Sequence, residues 1–142
     1  MAGNLDEFIE RYHQACVPFS RGDPAAMKEL FSRADDVVLA NPFGPAVLGW
    51  AAASDRLDFA SSRFHDGDVT RFDEIVRYTS GDLAVLHETE YWQSRVAEHR
   101  DVEPWILRVT TTFRRENGEW RIVHRHADPI ASVDPHGPLR AT

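Results

Sequence analysis

Three stretches of this 142-residue chain carry side chains that can move a proton or hold an oxygen. Near the C-terminal end, His124, His126 and Asp128 alternate, so in a strand they share one face. An imidazole titrates near neutrality, so His126 beside Asp128 makes a natural proton-transfer pair, with Asp128 orienting the ring. Two histidines and a carboxylate also form a metal-ligand set. The plainer reading is that they satisfy backbone groups at a sheet edge, and no metal is expected. In the second stretch, Arg108, Thr110 and Thr112 lie on one strand face and Leu107, Val109 and Phe113 on the other. An arginine there can clamp a carboxylate or polarise a carbonyl. It can equally form an exposed pair with Glu88 or Glu90. The third stretch is Asn41-Pro42-Phe43-Gly44-Pro45, a loop by composition. The Asn41 amide can bond a ligand oxygen, or its own backbone ahead of Pro42. Tyr12, Phe43, Trp50 and Trp105 could line a cavity for a flat organic molecule, although each alone also reads as core.

The elements that would position these groups follow from periodicity. Asn4 can cap a helix in which Leu5, Phe8, Ile9, Tyr12 and Cys16 share a face, with Glu7 placed as in a capping box. Asp23-Pro24 starts a short second helix with Met27, Leu30 and Phe31 inward. Residues 36–40 make a short strand, and Trp50 to Arg63 reads as a third helix. Beyond Val69 the chain turns to β-branched and aromatic residues. Strands are expected over Val69–Thr79, Leu83–Ser94, Glu103–Arg115 and Trp120–Ala127. Asn117-Gly118 joins the last two as a tight hairpin, and a bulge there would decide whether Arg108 and His126 share a face. Helices followed by hairpin-linked strands make an α+β domain, with a pocket on the concave side of a curved sheet.

Composition narrows the function classes. The chain is 42% hydrophobic and 27% charged, and long enough for one domain with a real core. Its formal net charge of −7, with no basic run, argues against binding a nucleic-acid backbone. The single cysteine, Cys16, rules out a disulfide framework and lacks a cationic neighbour in sequence to activate it. No apolar run approaches membrane-spanning length and no signal peptide is visible, so a cytoplasmic location is expected. No Ser-His-Asp arrangement or phosphate-cradling glycine loop appears.

Residues 40–45 with Leu48-Gly49, residues 107–110, and residues 118–126, taken with the element order, resemble the SnoaL-like and ketosteroid-isomerase-like branch of the nuclear transport factor 2-like superfamily. The last segment also resembles the end of the calcium/calmodulin-dependent kinase II association domain. The resemblance covers about Leu5 to Pro129, giving a domain over residues 1–129 and a loosely held tail over 130–142. It implies a cone-shaped, curved, mixed or antiparallel sheet with three N-terminal helices enclosing a pocket, a homodimer formed through the outer sheet surface, and a small-molecule ligand without a cofactor. Ketosteroid isomerases carry an aspartate base immediately before Pro-Phe-Gly, where this chain has Asn41, and an amide cannot act as that base. The resemblance places Thr110 at the isomerases' carboxylic-acid position and Tyr12 at their donor tyrosine. It also turns His87 toward the ligand and Glu88 and Glu90 away, an assignment that a one-residue slip reverses. Two readings remain open. One is an enzyme in which Arg108 and Asn41, with Tyr12, stabilise charge on a carbonyl oxygen while His126 moves the proton. The other is a ligand-binding or assembly module without turnover.

Overall fold

The computed structural model describes residues 4–130. Two helices, α1 (Leu5–Phe19) and α2 (Ala25–Leu30), are followed by two short strands, β1 (Val38–Ala40) and β2 (Val47–Leu48), and a third helix, α3 (Trp50–Ser62). Four long strands follow: β3 (Phe64–Ser80), β4 (Leu83–Val96), β5 (Glu103–Glu116) and β6 (Glu119–Pro129). The sequence reading contained all of these except β2, whose two residues carry no periodicity. It also began β3 five residues late, at Val69. The tail expected over 130–142 lies, after Ile130, outside the described residues. Ile130 itself still donates its N–H to the Ile106 carbonyl at 2.9 Å.

The strands form one open, mixed sheet in the order β2-β1-β6-β5-β4-β3. All neighbours are antiparallel except β1 and β6, which run parallel. Asn117 and Gly118, with φ of 51° and 81°, make the two-residue turn between β5 and β6, and both angles favour these residue types. Helix α1 begins where expected, with Asn4 Oδ1 accepting the Glu7 N–H at 2.8 Å. Its inner face, Phe8, Ile9, Tyr12, Ala15, Cys16 and Phe19, is buried against the concave side of the sheet.

Bulges give the sheet its curvature. Strand β3 slips register against β4 at three places, between His65 and Asp68, Val69 and Arg71, and Glu74 and Val76. Each adds a residue on one strand only, which bends and twists it. At the first of these, the strand passes so close to the end of α1 that a Cβ on Gly67 would sit 2.2 Å from the Ser20 carbonyl oxygen. The Arg21 guanidinium seals this crossing by donating to the Gly67 carbonyl at 2.8 Å. A fourth slip lies in β6. Phe113 pairs with Ile122 but Thr112 pairs with His124, leaving Val123 extra.

Candidate functional site

The extra residue at Val123 decides which side chains of β6 face inward. Counted without a bulge from the hairpin, Ile122, His124 and His126 would share the inner face with Phe113 and Val109. With Val123 absorbed, Arg125 and Ala127 take that face, and His124, His126 and Asp128 turn outward. Strand β4 follows the same logic from its pairing with β5. Leu86, Glu88, Glu90 and Trp92 point inward and are buried, whereas His87 lies opposite Thr110 on the outer face. This reverses the orientation that the resemblance implied for His87 and the two glutamates.

A small apolar cavity of about 40 Å³ lies between the concave sheet and the helices. Its walls include Phe19, Phe43, Phe64, Trp92 and Trp105, with Asn41 also lining it. The aromatic rings form a continuous packed set. Phe64 stacks on Trp105 at 5.1 Å between centroids, and Trp105 packs at a tilt against Trp92 at 5.2 Å. Among the described residues, the one charged group in this lining is Arg125.

Arg125 is 9% exposed, and its guanidinium is held from behind. Nε donates to Tyr12 Oη at 2.9 Å and Nη2 to Glu90 Oε1 at 2.8 Å. Tyr12 Oη in turn donates to Glu90 Oε2, and Trp92 Nε1 donates to Glu90 Oε1 at 2.9 Å. Glu90 therefore accepts from three donors, a bonding pattern that suits a carboxylate and satisfies a buried charge. Burial opposes the charge on Arg125, but the interactions with Tyr12 and Glu90 outweigh it and keep the group protonated. Burial, with Glu90 adding to it, pushes the Tyr12 phenol and the Cys16 thiol well above their ordinary values. Among the described residues Nη1 of Arg125 has no hydrogen-bond acceptor. Arg125 itself belongs to the lining of the cavity.

Beside this triad, His13 Nε2 lies 3.0 and 2.9 Å from the two carboxylate oxygens of Glu88, and its ring stacks on Phe72 at 3.7 Å. Burial raises the Glu88 pKa, His13 pulls it back, and Glu90 raises it further.

Of the residues expected at a site, Asn41 and Phe43 line the pocket. Asn41 bonds its own backbone, as its type allows ahead of Pro42. Its Oδ1 accepts the Phe43 N–H at 3.2 Å and a bond from Arg56 Nη1 at 3.3 Å, while the side chain borders the cavity. Tyr12 is fully buried and reaches the pocket only through Arg125. Trp50 packs near Phe31, with the Arg33 guanidinium 3.9 Å above its ring, and is not part of the lining. Arg108, Thr110, His87, His126 and Asp128 gather on the opposite, outer face of the sheet. There His126 pairs with Asp128 at 3.1 Å and His87 Nδ1 lies 3.0 Å from Thr110 Oγ1. Partial burial, with His126 beside it, holds the His124 pKa below its usual value. No cluster of three or more potential metal ligands occurs among the described residues.

Sequence reasoning missed Arg125, Glu90, Glu88 and His13. For the glutamates a signal existed: Ala84, Leu86 and Trp92 have the same parity as Glu88 and Glu90. Leu83, Val85 and Tyr91 have the other parity, so the pattern alone did not choose.

The SnoaL-like domain family matches residues 5–132, nearly the whole chain. The chain belongs to the SnoaL-like family. The solved structures similar to this SnoaL-like protein agree with its architecture. A nuclear transport factor 2-like superfamily protein from Salmonella enterica superposes with a TM-score of 0.75 at 20% identity, covering 92% of each chain. A protein named as a calcium/calmodulin-dependent kinase type II association domain, from Thiobacillus denitrificans, gives a TM-score of 0.75 at 17% identity, covering 92% of this chain and 98% of that one. A ketosteroid isomerase-like protein from Erwinia carotovora gives 0.73 at 19% identity, covering 90% and 95%. At these identities the likeness speaks for the fold. No curated protein sequence matches the chain. No helix among the described residues is long and apolar enough to cross a membrane.

Proposed function

We propose that this SnoaL-like protein binds a small, flat, largely apolar molecule carrying a carbonyl-type oxygen, and that Arg125 receives that oxygen. The observation carrying this reading is the guanidinium of Arg125, buried and braced in the lining of an aromatic pocket, with no acceptor on Nη1 among the described residues. An apolar cavity with a few convergent polar groups is the usual form of a small-molecule site. Asn41 supplies a second polar group at the pocket wall.

Binding without turnover is the form of the function that the lining favours. Arg125 could polarise a carbonyl. Isomerisation or dehydration also needs a group that takes a proton near neutrality, and no lining side chain among the described residues is one. Glu90 lies behind Arg125 with its oxygens committed to three donors.

A thermal-shift screen against flat ketones, lactones and small carboxylates tests the reading. A ligand at a hundred times its dissociation constant stabilises the fold by about 2.7 kcal/mol. That stabilisation should vanish in Arg125→Met and persist in Arg108→Ala and His126→Ala, whose side chains occupy the outer face. Stabilisation lost in the outer-face variants and kept in Arg125→Met would place the ligand on the other side of the sheet.

A further inference from the structure

We propose that Glu90 sets the charge class of the ligand: by neutralising Arg125 from behind, it makes the pocket accept uncharged carbonyl-type molecules and reject carboxylates. The inference rests on the reading of the pocket as a small-molecule site and adds to it what that site selects. A lone buried arginine would be an anion receptor, since its fork matches a carboxylate. Here the fork is already engaged. Glu90 accepts from Nη2 at 2.8 Å, and Tyr12 accepts from Nε while donating to the same Glu90. The positive charge of Arg125 and the negative charge of Glu90 cancel within one hydrogen bond.

What remains for a ligand is the hydrogen-bonding capacity of Nη1 without net charge. A neutral carbonyl oxygen satisfies that donor and loses little hydration on entry. A carboxylate would bring a second negative charge to a fully buried Glu90 and leave the site with a net charge in an apolar wall. The cost of removing that ion from water would be poorly repaid. The other titratable groups packed around Arg125 and Glu90 act the same way. Glu88 stands two residues along the same inner face, paired with His13, while Tyr12 and Cys16 project from α1. Glu90 raises the pKa of all three acids, Glu88, Tyr12 and Cys16, which is the response expected where added negative charge is resisted. Trp92 has two roles, since its indole lines the pocket and its Nε1 donates to Glu90.

Benzamide and benzoate, equal in shape and different in charge, are the probes. Each is titrated at neutral pH into the wild-type protein and into Glu90→Gln, following the indole N–H signals of Trp92 and Trp105 by NMR. The wild type should bind benzamide about tenfold or more tighter than benzoate, equivalent to about 1.4 kcal/mol. Glu90→Gln keeps the shape, removes the counter-charge and should reverse the order. Should Glu90→Gln not fold, the wild-type ratio decides. Benzoate binding to the wild type as well as benzamide does, or a ratio unchanged in a folded Glu90→Gln, overturns the role of Glu90 while leaving the pocket as a binding site. Failure of either probe to move the Trp92 or Trp105 signal in both proteins overturns the pocket reading and this inference with it.

Discussion

Tyr12→Phe removes one oxygen from the centre of the buried network and little else. The ring remains, and with it the edge contact to Phe113 at 6.3 Å. Two hydrogen bonds disappear, the one donated to Glu90 and the one accepted from Arg125 Nε. Both partners are charged and buried, and neither gains water in exchange. Hydrogen bonds to charged groups contribute about 1.5–3 kcal/mol each, and because these two share one network their loss is not additive, so about 2–4 kcal/mol is expected. For a chain of this size that corresponds to a fall in Tm of about 6–12 °C. Urea unfolding followed by tryptophan fluorescence gives the free energy directly, and the slope with denaturant should be unchanged because the folded surface is unchanged. A loss below about 0.5 kcal/mol, the range of an ordinary surface substitution, would refute the claim that Tyr12 braces Arg125.

Gly67→Ala should destabilise the fold by about 1–3 kcal/mol or prevent folding, because the new methyl would meet the Ser20 carbonyl at 2.2 Å; equilibrium unfolding checks it. Glu88 holds its proton more tightly in the folded protein than in the unfolded chain, since burial raises its pKa above the ordinary value of 4.5. The folded state therefore binds more of this proton, and the contribution of Glu88 to stability is greatest below 4.5 and falls as pH rises through its raised value. Unfolding free energies measured across that range should show this downward slope in the wild type and lose it in Glu88→Gln.

The glycines, prolines and periodicities of the sequence were enough for the element order apart from β2, because helix caps, the Asn117-Gly118 turn and the apolar face of α1 are local effects. The Asx-type bond of Asn41 was legible as one of two options for an asparagine ahead of proline, while its place beside the pocket was implied by the family resemblance alone. The membership of each strand face was only half legible. Arg108, Thr110 and Thr112 do share a face, as do His124, His126 and Asp128, because alternation is intrinsic to a strand. Which of the two faces meets the helices is a matter of register, and register depends on the partner strand. One unpaired residue, Val123, exchanges His126 for Arg125 at the pocket. The pairing of β4 with β5 similarly places Glu88 and Glu90 under α1 and His87 outside. The sequence by itself thus determined the elements and the groupings along each strand, from interactions within a few residues. The tertiary structure alone decided which grouping faces the cavity, since a bulge costs little locally and is selected by how the whole sheet packs on α1.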